Sequence, residues 1–408
     1  MEIPVPRRRG AVCALLAVAA LLAAGCGAAS RSSEADGDTV VVGLIPPTTG
    51  ALAQFGTDTV AAWRFAAEQV NADGGVDGRT IEIKVYETDG SVDTTIREAR
   101  RAVTQDGVSF LGAVMTGPEN QALNAQLEGL GALNFNATGN DDELTGEDCS
   151  PNAFRSVTSA SMDLAALARQ VAELPERSWA VLAVDYSIGH SASATFTEAV
   201  EAAGGEVVET RYAPLGTTDF GTHITQLKQS GAEGLFVVTF GSDAVAFAQQ
   251  GEQYRLFDRF DDVLTMNMVS EPLFDVIGGE TEGFWSNVNY DVGADNALNE
   301  AFVAAWTDEF GDAPYYVEAN TYLAAQMLVE GIRAADSTDP AQVREALSGL
   351  AFDSIAGPVR VREEDHQLLR PAYVGRVQAT ADGAHAFDIV SEVPPEQTTP
   401  QASPDCRL

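Results

Sequence analysis

Residues 40–56, VVVGLIPPTTGALAQFG, send a β-branched run into a turn of Pro and Gly and out into a helical pattern. A site that cradles phosphate begins this way, and so does a site for a small free metabolite. Phosphate chemistry demands particular spacings. A dinucleotide fingerprint needs G-x-G-x-x-G, so that backbone can approach pyrophosphate closely. Here the glycines are Gly43, Gly50 and Gly56, too far apart, and no Lys is present to complete a P-loop. Residues 189–193, GHSAS, end in Ser where a nucleophile elbow ends in Gly. The four histidines are scattered and no CxxC occurs, so the spacing of a zinc site is missing. Carboxylates are plentiful, with 60 Asp and Glu against 24 Lys and Arg. In so acidic a chain a pair of them is weak evidence for acid–base catalysis. These absences argue against an enzyme, and no cofactor and no resident metal are expected.

The bulk numbers agree. A chain of 408 residues suffices for two domains of ordinary size, and 45% hydrophobic residues provide a core for each. The formal net charge of −36 repels nucleic acid phosphates and anionic lipid. It also suits the solvated surface of an exported protein.

The elements that must position such a site alternate. TVVVGLI is a strand, and the helix after it buries Val60, Trp63, Ala67 and Val70 at helical spacing before stopping at NADGG. TIEIKVYE, VSFLGAV and ALNFNA are further strands, separated by the helices VDTTIREARRAV and GPENQALNAQLEGL. A second series of the same kind starts at MDLAALARQVAEL and runs to the strand DDVLTMNMV. Both series hold a helix that ends in Gly-Gly and leads at once into a strand, NADGGVDGRTIEI and EAAGGEVVETR. Three helices follow the strand of EGFWSNVNYDV, the last with Asp339 as N-cap and Pro340 in its first position. GPVRVR, AYVGRVQA and AFDIVSEV are late strands. The fold class is therefore α/β, with two lobes, each a parallel sheet wound on both faces.

The first residues read as processing signals. Three arginines precede the apolar run AVCALLAVAALLAA, too short to span a bilayer comfortably. The run ends in LAAGC, which resembles the lipobox of bacterial lipoprotein signals. That resemblance implies a signal peptide over 1–25, acylation of Cys26, a membrane anchor on the extracytoplasmic face and a flexible tether over 26–38. Cys13 would leave with the signal. Cys149 and Cys406 then remain in an export context that permits disulfides. They are expected to pair and pin the C-terminal tail, the alternative being two free thiols.

With these segments in view, the chain resembles the type I periplasmic binding proteins of branched-chain amino acid ABC transporters, the leucine/isoleucine/valine-binding kind. The segments that carry the likeness are VGLIPPTTGALAQFG, AAEQVNADGGVDGRTIEIKVYETDG, NDDELT, NAFRSVTSASMD, GETEGFW and FDSIAGPVRVREEDHQLLRPAYVGRV. The resemblance implies two doubly wound lobes joined by three hinge crossings, near 155–158, 288–290 and 367–371, with ligand in the cleft. The first lobe would take 39–157 and 289–366, the second 158–288 and 367–395, and 396–408 would be a tail. It also implies an ABC permease in the membrane as partner and closure of the lobes around a small solute, first of all a branched-chain or other hydrophobic amino acid. A sensor of the same fold that binds a small amide or organic acid and signals rather than transports is the alternative.

Site residues carry over one position at a time. Phe55 matches an aromatic lid, with a helix-start staple as the plain alternative. Thr116 matches a carboxylate-binding hydroxyl at a helix N-terminus, or is simply that helix's N-cap. Gly139 and Asn140 match a backbone carbonyl and a polar side chain that hold an amino acid head group, though Asn140 stands where Thr is usual. Phe240 matches a cleft aromatic of the second lobe, with a core Phe as the plain alternative. Ile188 stands where the family usually has Tyr, and Tyr186 two residues earlier could replace it or pack in the core. The family's amino acid binders also place a carboxylate after the strand VLTMNMV. Glu271 is the candidate, with Asn267 at the entry to the cleft, and Glu271 as a plain surface charge stays open.

Overall fold

The computed structural model describes residues 39–50, 52–381 and 383–408. The expected signal, Cys26 and the tether lie outside the described residues. The first series is β1 (Thr39–Leu44), α1 (Ala53–Ala72), β2 (Thr80–Val85), α2 (Val92–Thr104), β3 (Phe110–Gly112), α3 (Gly117–Leu130), β4 (Leu133–Asn136) and β5 (Ala153–Arg155). Its five strands are all parallel, in the order β2-β1-β3-β4-β5. The central strands are apolar on both faces because helices cover both. One face packs Val42, Leu44 and Phe135 with Trp63 and Phe65 of α1. The other packs Leu111 with Leu123 and Leu127 of α3. Gly112 lets α1 approach, since a Cβ there would lie 2.9 Å from the Trp63 ring.

The second series is α4 (Ala160–Glu173), β6 (Ser178–Val184), α5 (Ser187–Ala202), β7 (Glu206–Ala213), α6 (Gly221–Gln229), β8 (Gly234–Val238), α7 (Gly241–Gln253), β9 (Asp262–Met266), α8 (Phe274–Ile277) and β10 (Trp285–Val288). The chain then returns to the first sheet with α9 (Ala297–Phe310), α10 (Tyr316–Ala335) and α11 (Pro340–Leu347). Phe302, Trp306 and Leu323 of this segment join the core that holds Trp63 and Phe65. Asp339 caps α11 and Pro340 opens it. A small antiparallel sheet of β11 (Ala351–Ser354), β12 (Gly357–Val361) and β13 (Leu368–Leu369) follows. Last come β14 (Ala372–Ala379), β15 (His385–Val393) and α12 (Pro395–Thr398).

The second sheet has seven strands in the order β15-β14-β10-β9-β8-β6-β7. Five are parallel, but β14 and β15 run antiparallel along one edge. No helix separates β14 from β15, and a short connection can join only antiparallel strands. The parallel lobe expected from the sequence thus carries a hairpin on its flank.

The chain passes between the two sheets three times, after β5, after β10 and after β13. Buried hydrogen bonds tie these passages to each other. Arg370 Nη2 donates to the Asn289 carbonyl at 2.9 Å, and its Nη1 to the side chain of Asn320 and the Ser156 carbonyl. Gln367 accepts from Arg155 Nε and donates to the Val157 carbonyl at 3.0 Å. Asp163, in the first turn of α4, accepts from Thr158 at 2.7 Å and from Asn287 at 3.2 Å. Burial pushes its carboxyl up to about 7, although the two hydrogen bonds and the nearby Arg370 charge oppose this.

Cys149 and Cys406 form a disulfide, with Cα atoms 5.5 Å apart. The tail that carries Cys406 leaves β15, packs α12 against α4, and passes Arg362, whose Nη1 donates to the Pro400 carbonyl at 2.6 Å.

Candidate ligand-binding site

Parallel sheets bind solutes beyond the carboxyl ends of their strands, where loops and helix N-termini converge. At those ends the two sheets each place a non-glycine residue in left-handed backbone, Ala113 after β3 with φ 64° and Asn267 after β9 with φ 59°. Such conformations cost roughly 1 kcal/mol and concentrate at functional sites.

In the first lobe the polar groups are spent on each other. Thr116 caps α3, and its hydroxyl donates to Glu119 at 2.6 Å while its N–H donates to the same carboxylate at 3.0 Å. The other oxygen of Glu119 accepts from Thr95 at 2.6 Å, and the whole side chain is buried. Gly139 is held by Asn136, which accepts from its N–H and donates to its carbonyl, both at 2.8 Å. The Asn140 carbonyl accepts from Ala160 N at 2.8 Å and so meets the start of α4. Thr138, passed over in the sequence, donates to the Met115 carbonyl at 2.8 Å and joins the ends of β3 and β4. Thr116, Gly139 and Asn140 are thus brought to one end of the first sheet. Phe55 is half-buried in the first turn of α1.

The second lobe is arranged differently. Tyr186 and Phe240 are the N-cap residues of α5 and α7, and neither helix start has a side-chain cap. Tyr186 is 39% exposed, so it is not a core residue. Ile188 packs against the core beside α4. Among the described residues, Tyr186 and Phe240 share no hydrogen bond or ring contact with the other candidates. Asn267 is fixed by Asn287, which accepts from its N–H at 3.1 Å and donates to its side chain at 3.3 Å.

Glu271 opens the short 3-10 turn after β9. It is half-buried at the surface, yet desolvation pushes its carboxyl up to about 7. Among the described residues no other residue donates a hydrogen bond to it. Its neighbours come from the other lobe. Burial and then the Glu271 charge raise the Tyr316 hydroxyl well above the ordinary phenol range. Glu318, in the first turn of α10, is also pushed up to about 7, by burial and by Asp58, Glu271 and Asp312. Tyr315 stands beside it and donates to Asp58 at 2.6 Å. Sequence reasoning missed Asp58, Tyr316 and Glu318. Glu318 accepts from Tyr315 N–H at 3.0 Å at the start of α10, and the packing of that start against the segment after β9 is a tertiary fact that no spacing signals.

Known proteins have the same plan. The family model for periplasmic binding proteins matches residues 39–384. The chain belongs to the periplasmic binding protein family. This family comprises solute-binding proteins of ABC transporters rather than enzymes. The leucine-, isoleucine-, valine-, threonine- and alanine-binding protein of Pseudomonas aeruginosa is 25% identical over 332 residues, covering 81% of this chain and 87% of the relative. Among solved structures, the amino acid ABC transporter substrate-binding protein of Pseudomonas fluorescens matches with a TM-score of 0.82 at 22% identity, over 91% of this chain and 99% of that one. A solute-binding protein of Rhodopseudomonas palustris in complex with 3,4-dihydroxybenzoic acid matches with a TM-score of 0.80 at 23% identity, over 88% and 98%. The type I two-lobe fold is therefore established, and the relatives divide between amino acids and aromatic acids as ligands.

Proposed function

We propose that this protein is the extracytoplasmic solute-binding component of an ABC importer, anchored through Cys26, and that it captures an ammonium-bearing solute with an apolar body. A branched-chain or other hydrophobic amino acid is the first reading. The lobes, 39–157 with 289–366 and 158–288 with 367–395, would close about the three tied passages and present the closed form to a permease. Phe55, Tyr186 and Phe240 supply apolar walls, and closure excludes water.

The observation that carries this reading is Glu271. A desolvated carboxylate with no donor is costly, and a ligand cation is the group that would complete it. An aromatic acid would instead add another carboxylate beside Glu271, Glu318 and Asp58. The two ligand classes of the relatives are thereby separated on charge. Calorimetry of the mature protein with leucine, isoleucine, valine, benzoate and 4-hydroxybenzoate tests it. Binding of the amino acids alone supports the reading, and binding of the benzoates alone overturns it.

A further inference from the structure

Solute capture between the lobes, on which this inference rests, gives the solute's ammonium a partner in Glu271 but none to its oxygen atoms. The segment that leads to Glu271 begins at Asn267, the first residue after β9, at the carboxyl end of the second sheet. Its backbone is left-handed, φ 59°, a conformation that Asn tolerates better than most residues. Asn287 of β10 holds it there. The Asn267 N–H donates to Asn287 Oδ1 at 3.1 Å, and Asn287 Nδ2 donates to Asn267 Oδ1 at 3.3 Å.

These two bonds decide which atom of Asn267 is left over. A backbone N–H can only donate, so the oxygen of the Asn287 amide must face it and the nitrogen must turn elsewhere. That nitrogen can only donate, so Asn267 must offer it an oxygen. The amide of Asn267 is therefore oriented with Nδ2 away from Asn287. Among the described residues none accepts a hydrogen bond from this Nδ2, and the atom is not sealed from solvent. It is an unspent donor at the end of the sheet where solutes bind.

The arrangement is anchored at the hinge. The other hydrogen of Asn287 Nδ2 goes to Asp163 Oδ2 at 3.2 Å, and Asp163 Oδ1 accepts from Thr158 at 2.7 Å. Thr158 lies on the first passage between the sheets, and Asp163 and Asn287 are both buried. A flipped Asn287 amide would set oxygen against the Asp163 carboxyl and nitrogen against the Asn267 N–H, losing both bonds. Asp163 is thus the buried end of a chain of side chains whose other end is the free donor of Asn267.

We infer that Asn267 is a specificity-determining residue whose Nδ2 donates to an oxygen of the bound solute, and that Asp163 is its positioning residue, acting through Asn287. An α-amino acid carries ammonium and carboxylate on one carbon. A segment with an acceptor at Glu271 and a donor at Asn267 suits both groups. An amide N–H bonds well to a carboxylate, whereas a plain amine has no oxygen to offer and gains nothing from Asn267.

Calorimetry of the mature protein with leucine and with 3-methylbutylamine, which is leucine without its carboxylate, decides the matter. Wild type is expected to bind leucine at least about tenfold more tightly than the amine. Asn267→Asp keeps the shape and the bonds to Asn287 but turns the donor into an acceptor. It is expected to weaken leucine by about 30-fold without weakening the amine. Asp163→Ala is expected to cut the ratio of leucine to amine affinity about tenfold, because Asn287 loses its anchor. Asp163→Asn is expected to restore that ratio to within about threefold of wild type, since its own Oδ1 still accepts from Asn287. Its Nδ2 then donates to Thr158, whose hydroxyl turns to Asn289 Oδ1, 3.3 Å away.

An amine bound by wild type as tightly as leucine, or a leucine-to-amine ratio unchanged in Asn267→Asp, overturns the inference and leaves the ammonium reading standing. Equal loss of both probes in Asp163→Ala overturns the role of Asp163, because a purely structural residue lowers the two together. Should that variant fold poorly, the Asn267→Asp ratio decides alone. If wild type takes benzoate and neither of these probes, the ammonium reading falls, and a loss of benzoate of about tenfold or more in Asn267→Asp keeps the donor at Asn267. A wild type of native melting temperature that takes none of the three removes both.

Discussion

The helices that start at the carboxyl ends of the two sheets are finished in opposite ways. In the first lobe, Ser91 caps α2 by accepting from Thr94 N–H, and Thr116 with Glu119 forms a full capping box on α3. In the second lobe, α5 and α7 start at aromatic residues with no cap, in nearly the same backbone conformation, φ −152° and ψ 165° at Tyr186 against φ −153° and ψ 164° at Phe240. In the first lobe α2 and α3 satisfy their starts internally, whereas α1 starts at Leu52 without a side-chain cap. The second lobe leaves N–H groups and ring faces for solvent or ligand. The same division holds for charge, since Glu119 accepts three hydrogen bonds and Glu271, among the described residues, accepts none from another residue. On the proposed function, polar substitutions near the first sheet are expected to act on stability and those after β9 on binding.

Three measurements sharpen or break that contrast. Glu271→Gln should weaken binding of an ammonium ligand by about 100-fold, near 2.7 kcal/mol, while the melting temperature of the free protein stays level or rises. A variant that melts lower and binds normally would move Glu271 to the stabilising side.

The second measurement is pH. Burial raises Asp163, Glu271 and Glu318 to about 7 from unfolded values of 3.8 for Asp and 4.5 for Glu. Between those limits the folded protein holds protons that the unfolded chain has released. The stability of the ligand-free protein is therefore lost as pH rises from near 4.5 through 7. Melting scans should show this decline, and Glu271→Gln should make it shallower. An identical slope in the variant would remove Glu271 from the titrating set.

The smallest effect is expected at Thr116. Thr116→Ala removes a cap and should cost about 1 kcal/mol of stability, read by denaturant unfolding, with ligand affinity little changed. A tenfold loss of affinity without loss of stability would return the hydroxyl to the ligand.

Much of the architecture was legible because it depends on local pattern. The 3.6- and 2-residue periods separated helices from strands, and Asp339-Pro340 marked the start of α11 from two residues alone. Local pattern did not give the antiparallel direction of β14 and β15, since strand partners are chosen by contacts distant in sequence, and only the resemblance put 367–395 in the second lobe. The site divides similarly. T-x-x-E at Thr116 and Glu119 is a readable capping box, and it engages the hydroxyl that the sequence left open between a ligand carboxylate and an N-cap. The approach of Tyr316 to Glu271 depends on how a helix and a turn from distant parts of the chain come to rest, and no spacing encodes it.

The disulfide bears on how far the lobes can part. Cys149 sits on the loop before β5, and Cys406 ends a tail that has left β15 and crossed α4. The two residues are 257 positions apart, so the bond is a leash between a first-lobe loop and a second-lobe strand. On the proposed closure about the three backbone passages, this fourth, covalent link is expected to limit the stroke. Reduction would then lengthen that stroke, and the reach of the open form would depend on thiol chemistry as well as on solute.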